Sequence, residues 1–531
     1  DEHLSHHSLG AVMFCFIPSW YSQNDKWHAN ETPWYQAGKA YEFDDTINQI
    51  RMFRSACEPA QLMVLSYAPG LRMFLHRQNL YPMDVWNLFD EMQGIDLQKL
   101  GVVPWQSLEW PRNLIWRYTP FTMIGFLGRD RYAELFFGED GNLIRVDFFR
   151  EGRTIRRDVY DDRGFCSSRI FCDQDGREEQ EYLDPDGTVQ FRENCTTGEI
   201  RIAKGAHYRF QKQEYESMDL LVEEVVRRRF LELEPEITVV VAANPQHNQM
   251  ILKARRGQSI GLSYFEERFP LDDGKALERD LRYARFAVAD TEHSAKLLRQ
   301  SSGDDGLPIY DISPFDTRFS LGKSQRIREL KIFMPVDGLD DFLLETAMQQ
   351  VFSYMENNQC VILQAVTQNA QENVRRELAG KLLAILEKNE ITDIGIGLEN
   401  GAMELLPVFV PEGGSCRVQV ISCHSENDLI QRLYDVRLIL DVRDQPDLYL
   451  QIAGISAGIP QVNYRFTRYV QHQKDGYIIQ NIHYISGALE YYLSGLKHWN
   501  EALVYCVKEI EKYTGGSLVQ QWKEAVEDDA E

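Results

Sequence analysis

The residues whose types and spacing could do chemistry fall late in the chain. Gly454-Ile455-Ser456-Ala457-Gly458 spells G-x-S-x-G, and Asp475 and His483 follow in the order nucleophile, acid, base used by one class of serine hydrolases. A serine activated by a carboxylate-oriented histidine would carry acyl transfer. The context opposes this, because Ile459-Pro460 requires a short strand next, over 461–464, where a nucleophile elbow needs a helix. Gly322-Lys323-Ser324 is a weaker signal for a phosphate loop, since Thr317 stands where the first glycine is needed. Asp44-Asp45 reads as a helix cap rather than a carboxylate dyad. The nine cysteines are scattered and never paired as C-x-x-C, which argues against a disulfide framework or zinc site and fits a reducing cytoplasm. No catalytic residue, metal or cofactor is expected.

The elements that would position such groups alternate between strand and helix. Residues 13–17 form an apolar strand broken at Pro18, and the following loop holds Trp20, Tyr21, Trp27, His28, Trp34 and Tyr35. Those rings could stack on sugars or receive a partner's apolar side chains; the alternative is packing against the chain's own loops. Thr32-Pro33 and Asp44-Asp45 each open a helix, 61–67 is a strand, and Pro69 opens a further helix. From 119 to 202 the texture changes to short segments separated by Asp140-Gly141, Glu151-Gly152, Arg163-Gly164, Asp175-Gly176, Asp186-Gly187 and Thr197-Gly198. This spacing predicts an antiparallel meander, which either docks a polypeptide or stabilises the fold. Helix 214–232 and strand 237–243 restore the α/β pattern, and a second run of alternating elements starts at the strand 331–336. The divisions expected are a discontinuous Rossmann-like unit (13–118 and 206–320), the insertion (119–205), a second Rossmann-like unit (321–495), helices packing back on the first lobe (496–525), and tails at 1–12 and 526–531. The first twelve residues read as a leader ahead of Met13, and the acidic end as a solvated tail.

Composition narrows the function classes. With 57 basic against 81 acidic residues the net charge is −24, which opposes nonspecific attraction to nucleic acid and anionic membranes. No apolar run approaches the ~20 residues of a membrane span, so a soluble protein is expected.

The stretch 438–464 has the frame of a donor-binding segment. Its ending, Ala457-Gly458-Ile459-Pro460, resembles that of GT-B glycosyltransferases, in which two glutamates eight residues apart grip the donor's sugar and ribose. Gln445 and Ala453 occupy those two positions here. After the second unit's first strand, Asp337 stands at the place of a phosphate-binding lysine, before Gly338-Leu339. An acid there would repel a phosphate 4 Å away by about 1 kcal/mol in water and by more when desolvated. The resemblance therefore implies a pair of doubly wound domains with an inserted antiparallel sheet, whose donor site is degenerate. An active glycosyltransferase using a sugar nucleotide, and a hydrolase built on Ser456, are the enzymatic alternatives.

A narrower resemblance rests on FIPSWY (16–21), WHANETPWYQ (27–36), EFDDTINQIRMF (42–53), FLHRQ (74–78), DDRGF (161–165), YLDPDG (182–187) and AGISAGIPQVN (453–463). These resemble the first of the three Asp proteins of the accessory Sec system, and the likeness runs from Met13 to about Tyr513. That resemblance implies a non-catalytic adaptor in the cytoplasm. Its partners would be two sister Asp proteins, a SecA-type motor and glycosylated serine-rich-repeat adhesins awaiting export, with membrane recruitment only through those partners and no role for nucleic acid.

Overall fold

The computed structural model describes residues 13–22, 26–29, 44–120, 122–138, 140–173, 176–303, 306–369, 371–400, 404–412 and 414–527. The first lobe is a seven-stranded parallel sheet in the order Ile309–Asp311, Phe286–Ala289, Ser259–Tyr264, Thr238–Ala242, Phe14–Ile17, Ala60–Val64, Val85–Asn87. Its central strands are apolar along their whole length because helices cover both faces. The chain leaves Phe14–Ile17 toward one edge and returns at Thr238–Ala242 toward the other, so the sheet reverses direction between these two strands. Ligands of doubly wound folds bind at such reversals, outside the strands' carboxyl ends.

The second lobe repeats this plan in eight strands, with its own reversal between Leu330–Pro335 and Val436–Asp441. Val85–Asn87, Ser259–Tyr264 and Ile309–Asp311 of the first lobe and Gly476–Ile478 of the second are absent from the sequence reading, as is Leu405–Phe409. It pairs antiparallel with Ile394–Glu399 at the sheet's edge, where Pro407 is tolerated although it would argue against a central strand.

The inserted meander is a ten-stranded antiparallel sheet whose spatial order follows the chain. The glycine of each expected turn (Gly141, Gly152, Gly164, Gly176, Gly187, Gly198) takes a positive φ, which lets the flanking strands fold back tightly. The sheet takes in Leu114–Tyr118 and Glu214–Tyr215 as well. The helix expected from Glu214 therefore starts later, at Met218, because Glu214 and Tyr215 are paired with Arg201 and Ile200.

Two sets of contacts fix this sheet to the first lobe. His28 and Tyr67 bridge as isolated strand partners and pack with Phe89 and Tyr182, and Tyr182 stacks on Phe191 at 4.3 Å. Alongside, the buried Arg163 guanidinium is held by Asp161 and by Asp90, which also takes Arg72. Gly101 lies against Arg163 and Gly164 so closely that an added Cβ would sit 2.3 Å from the Arg163 carbonyl oxygen.

The lobes meet along a shared apolar cluster that includes Phe265 and Phe315 from one side and Phe333, Leu429 and Tyr449 from the other. Helix Leu496–Ile510 stays with the second lobe, on Leu448–Ala457 and Ile485–Leu493; only Gly515–Glu527 crosses back, onto Asp45–Ser55. It carries the fully buried Trp522 into the shared cluster and extends two residues beyond 525. Replacing Trp522 with Ala should cost about 3–5 kcal/mol in urea unfolding. Removing the neighbouring Lys523–Glu58 pair (2.9 Å, each side chain over a quarter exposed) should cost under about 1 kcal/mol. Equal losses in the two variants would mean that the helix is not anchored by its tryptophan.

Candidate functional site at the strand reversals

At the second lobe's reversal, three charged residues and several apolar ones line a small pocket. The strand Leu330–Pro335 leads to Asp337, whose carboxylate accepts from the Thr367 hydroxyl (2.7 Å) and the Gln368 amide (2.5 Å). From the neighbouring strand Val436–Asp441, Arg443 folds back on Asp441 with two hydrogen bonds of 2.8 Å. Asp447 caps the helix Leu448–Ala457 by accepting from the Leu450 amide at 3.0 Å. Phe333, Pro335, Val366 and Tyr449 supply apolar walls.

The charges in this pocket are largely committed to one another. Burial pushes the Asp447 carboxyl up to about 6; Arg443 opposes that rise, and Glu267 from the first lobe adds to it. Burial also works against the Arg443 charge, but the adjoining Asp441 outweighs it and keeps the guanidinium protonated. A helix N-terminus and a nearby arginine ordinarily attract a phosphate. Here the helix end is occupied by its own aspartate and the arginine by another.

Of the three expected donor-site positions, only Asp337 faces this pocket. Gln445 is exposed on the loop between strand and helix, and Ala453 is buried mid-helix in the cluster shared by the lobes. Arg443 was not foreseen; its signal is the Asp-x-Arg ending of an apolar strand.

The first lobe's reversal is filled by its own side chains. Asn244 donates to Ser19 Oγ at 2.7 Å, Tyr21 Oη lies 2.7 Å from His247 Nδ1, and His247 Nε2 lies 2.9 Å from the Ala242 carbonyl. Burial pushes His247 down to about 4, so it is neutral, donating from Nε2 and accepting from Tyr21. Spacing gave no hint of His247, which is brought to Tyr21 across 226 residues. The rings expected to face a glycan or partner are used inside. Trp20 packs edge-on against Phe74, Trp27 donates to Asp219 at 2.7 Å, His28 bonds Tyr182 Oη at 2.9 Å, and all three are buried. Trp34 and Tyr35, with the helix expected from Thr32-Pro33, lie outside the described residues.

Ser456 is no nucleophile in this geometry. It sits inside the helix Leu448–Ala457, with a strand, Gln461–Asn463, next in sequence. Its hydroxyl accepts from the Phe319 amide (2.6 Å) and donates to the Phe319 carbonyl (3.0 Å), pinning the segment that joins the lobes. Asp475 is buried and accepts from the Gln471 amide, while His483 is exposed on a separate turn. Asp44 caps its helix as expected, accepting from the Ile47 amide at 3.1 Å. All nine cysteines are free thiols, and among the described residues no three His, Cys, Asp or Glu side chains converge on a metal position. None of the described helices is long and apolar enough to cross a membrane.

Two outcomes follow from these contacts. Ser456→Ala should lower stability by about 1–3 kcal/mol, because it strands a partly buried amide; an unchanged urea midpoint would mean that the linker is held elsewhere. His247 has a folded pKa of about 4 against a reference of 6.5, so the unfolded chain binds its proton first as pH falls. Stability should therefore drop between pH 6.5 and pH 4, and a His247→Gln variant should show a shallower decline over that window.

Residues 13–529 match the family model described as "Accessory Sec system protein Asp1". Proteins of that description from Streptococcus gordonii and Staphylococcus aureus are 35% and 30% identical, over 97% and 96% of this chain and 100% and 98% of theirs. Among solved structures, the Glycosylation Associate Protein (Gap123) complex from Streptococcus agalactiae matches at TM-score 0.81 and 33% identity, over 97% of this chain and all of that one. That of accessory secretory proteins 1, 2 and 3 from Streptococcus pneumoniae matches at TM-score 0.81 and 31% identity, over 98% and 99%. The pneumococcal O-GlcNAc transferase GtfA, solved with UDP and GlcNAc, shares the fold at TM-score 0.69 but only 13% of the sequence, over 99% and 100%. The two doubly wound lobes with an inserted sheet are thus the GT-B architecture, and the chain belongs to the Asp1 family of accessory Sec system proteins.

Proposed function

We propose that this chain is a non-catalytic adaptor of accessory Sec export, built on a glycosyltransferase-like frame that no longer handles a sugar nucleotide. The observation that carries this reading is the internal neutralisation of the second lobe's reversal. Asp441 holds Arg443, Asp447 caps the helix that would otherwise face a diphosphate, and Asp337 stands where a cation would be wanted. A donor diphosphate entering there would meet two carboxylates and no uncommitted cation among the pocket's lining residues. The solved complexes of relatives with their sister proteins support sister Asp proteins as partners here. In this reading the chain acts in the cytoplasm with those sisters and a SecA-type motor, and the cargo is a glycosylated serine-rich-repeat adhesin.

Titration calorimetry with UDP-GlcNAc should show no binding tighter than about 1 mM. Micromolar binding, or transfer of sugar from any nucleotide donor, would return the chain to the active transferases. Export measured in cells carrying Ser456→Ala should persist at the level set by that variant's stability; abolished export with normal protein abundance would revive an enzymatic role for the serine.

A further inference from the structure

The ten-stranded sheet ends differently at its two sides. At one, Glu214–Tyr215 is only two residues long, and Tyr215 donates to Glu224 of the helix Met218–Glu232 packed beside it. At the other, Leu114–Tyr118 pairs in unbroken register with Thr122–Leu127, and no strand lies beyond it. Ile115 and Tyr118 on this outer strand are 62% and 73% exposed, and Leu127, paired with Leu114, is 42% exposed. Edges of this kind are normally blunted by a proline, a bulge, an inward charge or extreme shortness. The second lobe's exposed edge carries Pro407, whereas Leu114–Tyr118 has none of these devices and only the outward charge of Arg117 upon it.

The strand is also held rigid from behind. Trp116 is set edge-on against Trp105 and Trp110, with ring centroids 5.2 and 4.9 Å away, and Trp110 Nε1 donates to the Trp105 carbonyl at 2.7 Å. A preformed edge removes this chain's own share of the ordering cost when a strand is added.

Charge identifies the occupant. Residues 112–129 contain Arg112, Arg117 and Arg129 and no acid, in a chain with 81 acidic residues, and Glu109 and Asp130 flank the segment. Arg117 lies 4.8 Å over the Phe126 ring, and none of the three arginines has a carboxylate partner among the described residues. A second copy would bring its own arginines and another net charge of −24 to the same edge. We propose that Leu114–Tyr118 receives an extended segment of a partner protein, apolar on one face and acidic on the other, as an eleventh strand. The proposal rests on the adaptor reading and names the surface through which one partner docks.

Hydrogen exchange of the full chain, alone and with its two sister proteins, tests this directly. Amides of 114–118 should exchange at least about tenfold more slowly in the complex. The double variant Ile115→Asp/Tyr118→Asp, and separately Arg112→Glu/Arg117→Glu, should weaken assembly about tenfold by light scattering while melting as the parent does. A wild-type complex with 114–118 unprotected and both variants fully competent would overturn the strand-addition proposal and leave the adaptor reading standing. A wild-type chain that binds neither sister would overturn both. Protection that grows with the concentration of the chain alone would assign the edge to a second copy instead.

Discussion

The seam between the two lobes is the contact on which the rest of the molecule depends. Phe315 of the connecting segment meets Tyr449 of the second lobe edge-on at 5.0 Å, inside a cluster that also holds Phe265, Leu429 and Trp522. Around it Arg51 pairs with Glu426 at 2.9 Å, and Arg318 lies 3.7 Å from the same Glu426 across the boundary. Opening the lobes would expose these rings at about 2–3 kcal/mol each. The cleft is therefore held in one geometry by apolar contact, and Ser456 adds a polar clamp on the segment that a hinge would have to use.

The reversal in the second lobe has the outline of a site, and the proposed loss of donor binding turns on how its groups are used. A parallel sheet must place helix N-termini and strand ends around a crevice at its reversal, whatever the chain does there. Binding requires that some of those groups be left unsatisfied for a ligand. In this chain Asp441 and Arg443 complete one another, Asp447 completes its own helix, and Asp337 takes the Gln368 amide. These groups hold the loops of the reversal in place.

Much of this architecture was legible because its signals are local. Apolar runs between helix caps marked most of the parallel strands, and the recurring glycines marked the meander's turns, since only a residue without a Cβ takes those angles freely. Pro407 hid the strand Leu405–Phe409, because edge position is a tertiary property that no pattern shows. The tryptophan-rich loop was conspicuous in sequence, but what Trp20 and Trp27 touch depends on Phe74 and Asp219, which folding alone brings near. His247 and Arg443 were missed for a related reason: each is defined by partners that the spacing of motifs does not reveal.

The mounting of the inserted sheet has a mechanical consequence. Tyr182, clasped by His28 and Tyr67, lies on a strand six places from Leu114–Tyr118 in the sheet order, or roughly 30 Å at the usual strand spacing. Because the clasp is made of edge-on and tilted rings packed around Tyr182, together with the buried Arg163 pairs, the sheet is mounted as a stiff arm rather than a tethered flap. A tug at its outer strand is delivered to the first lobe's core with that leverage.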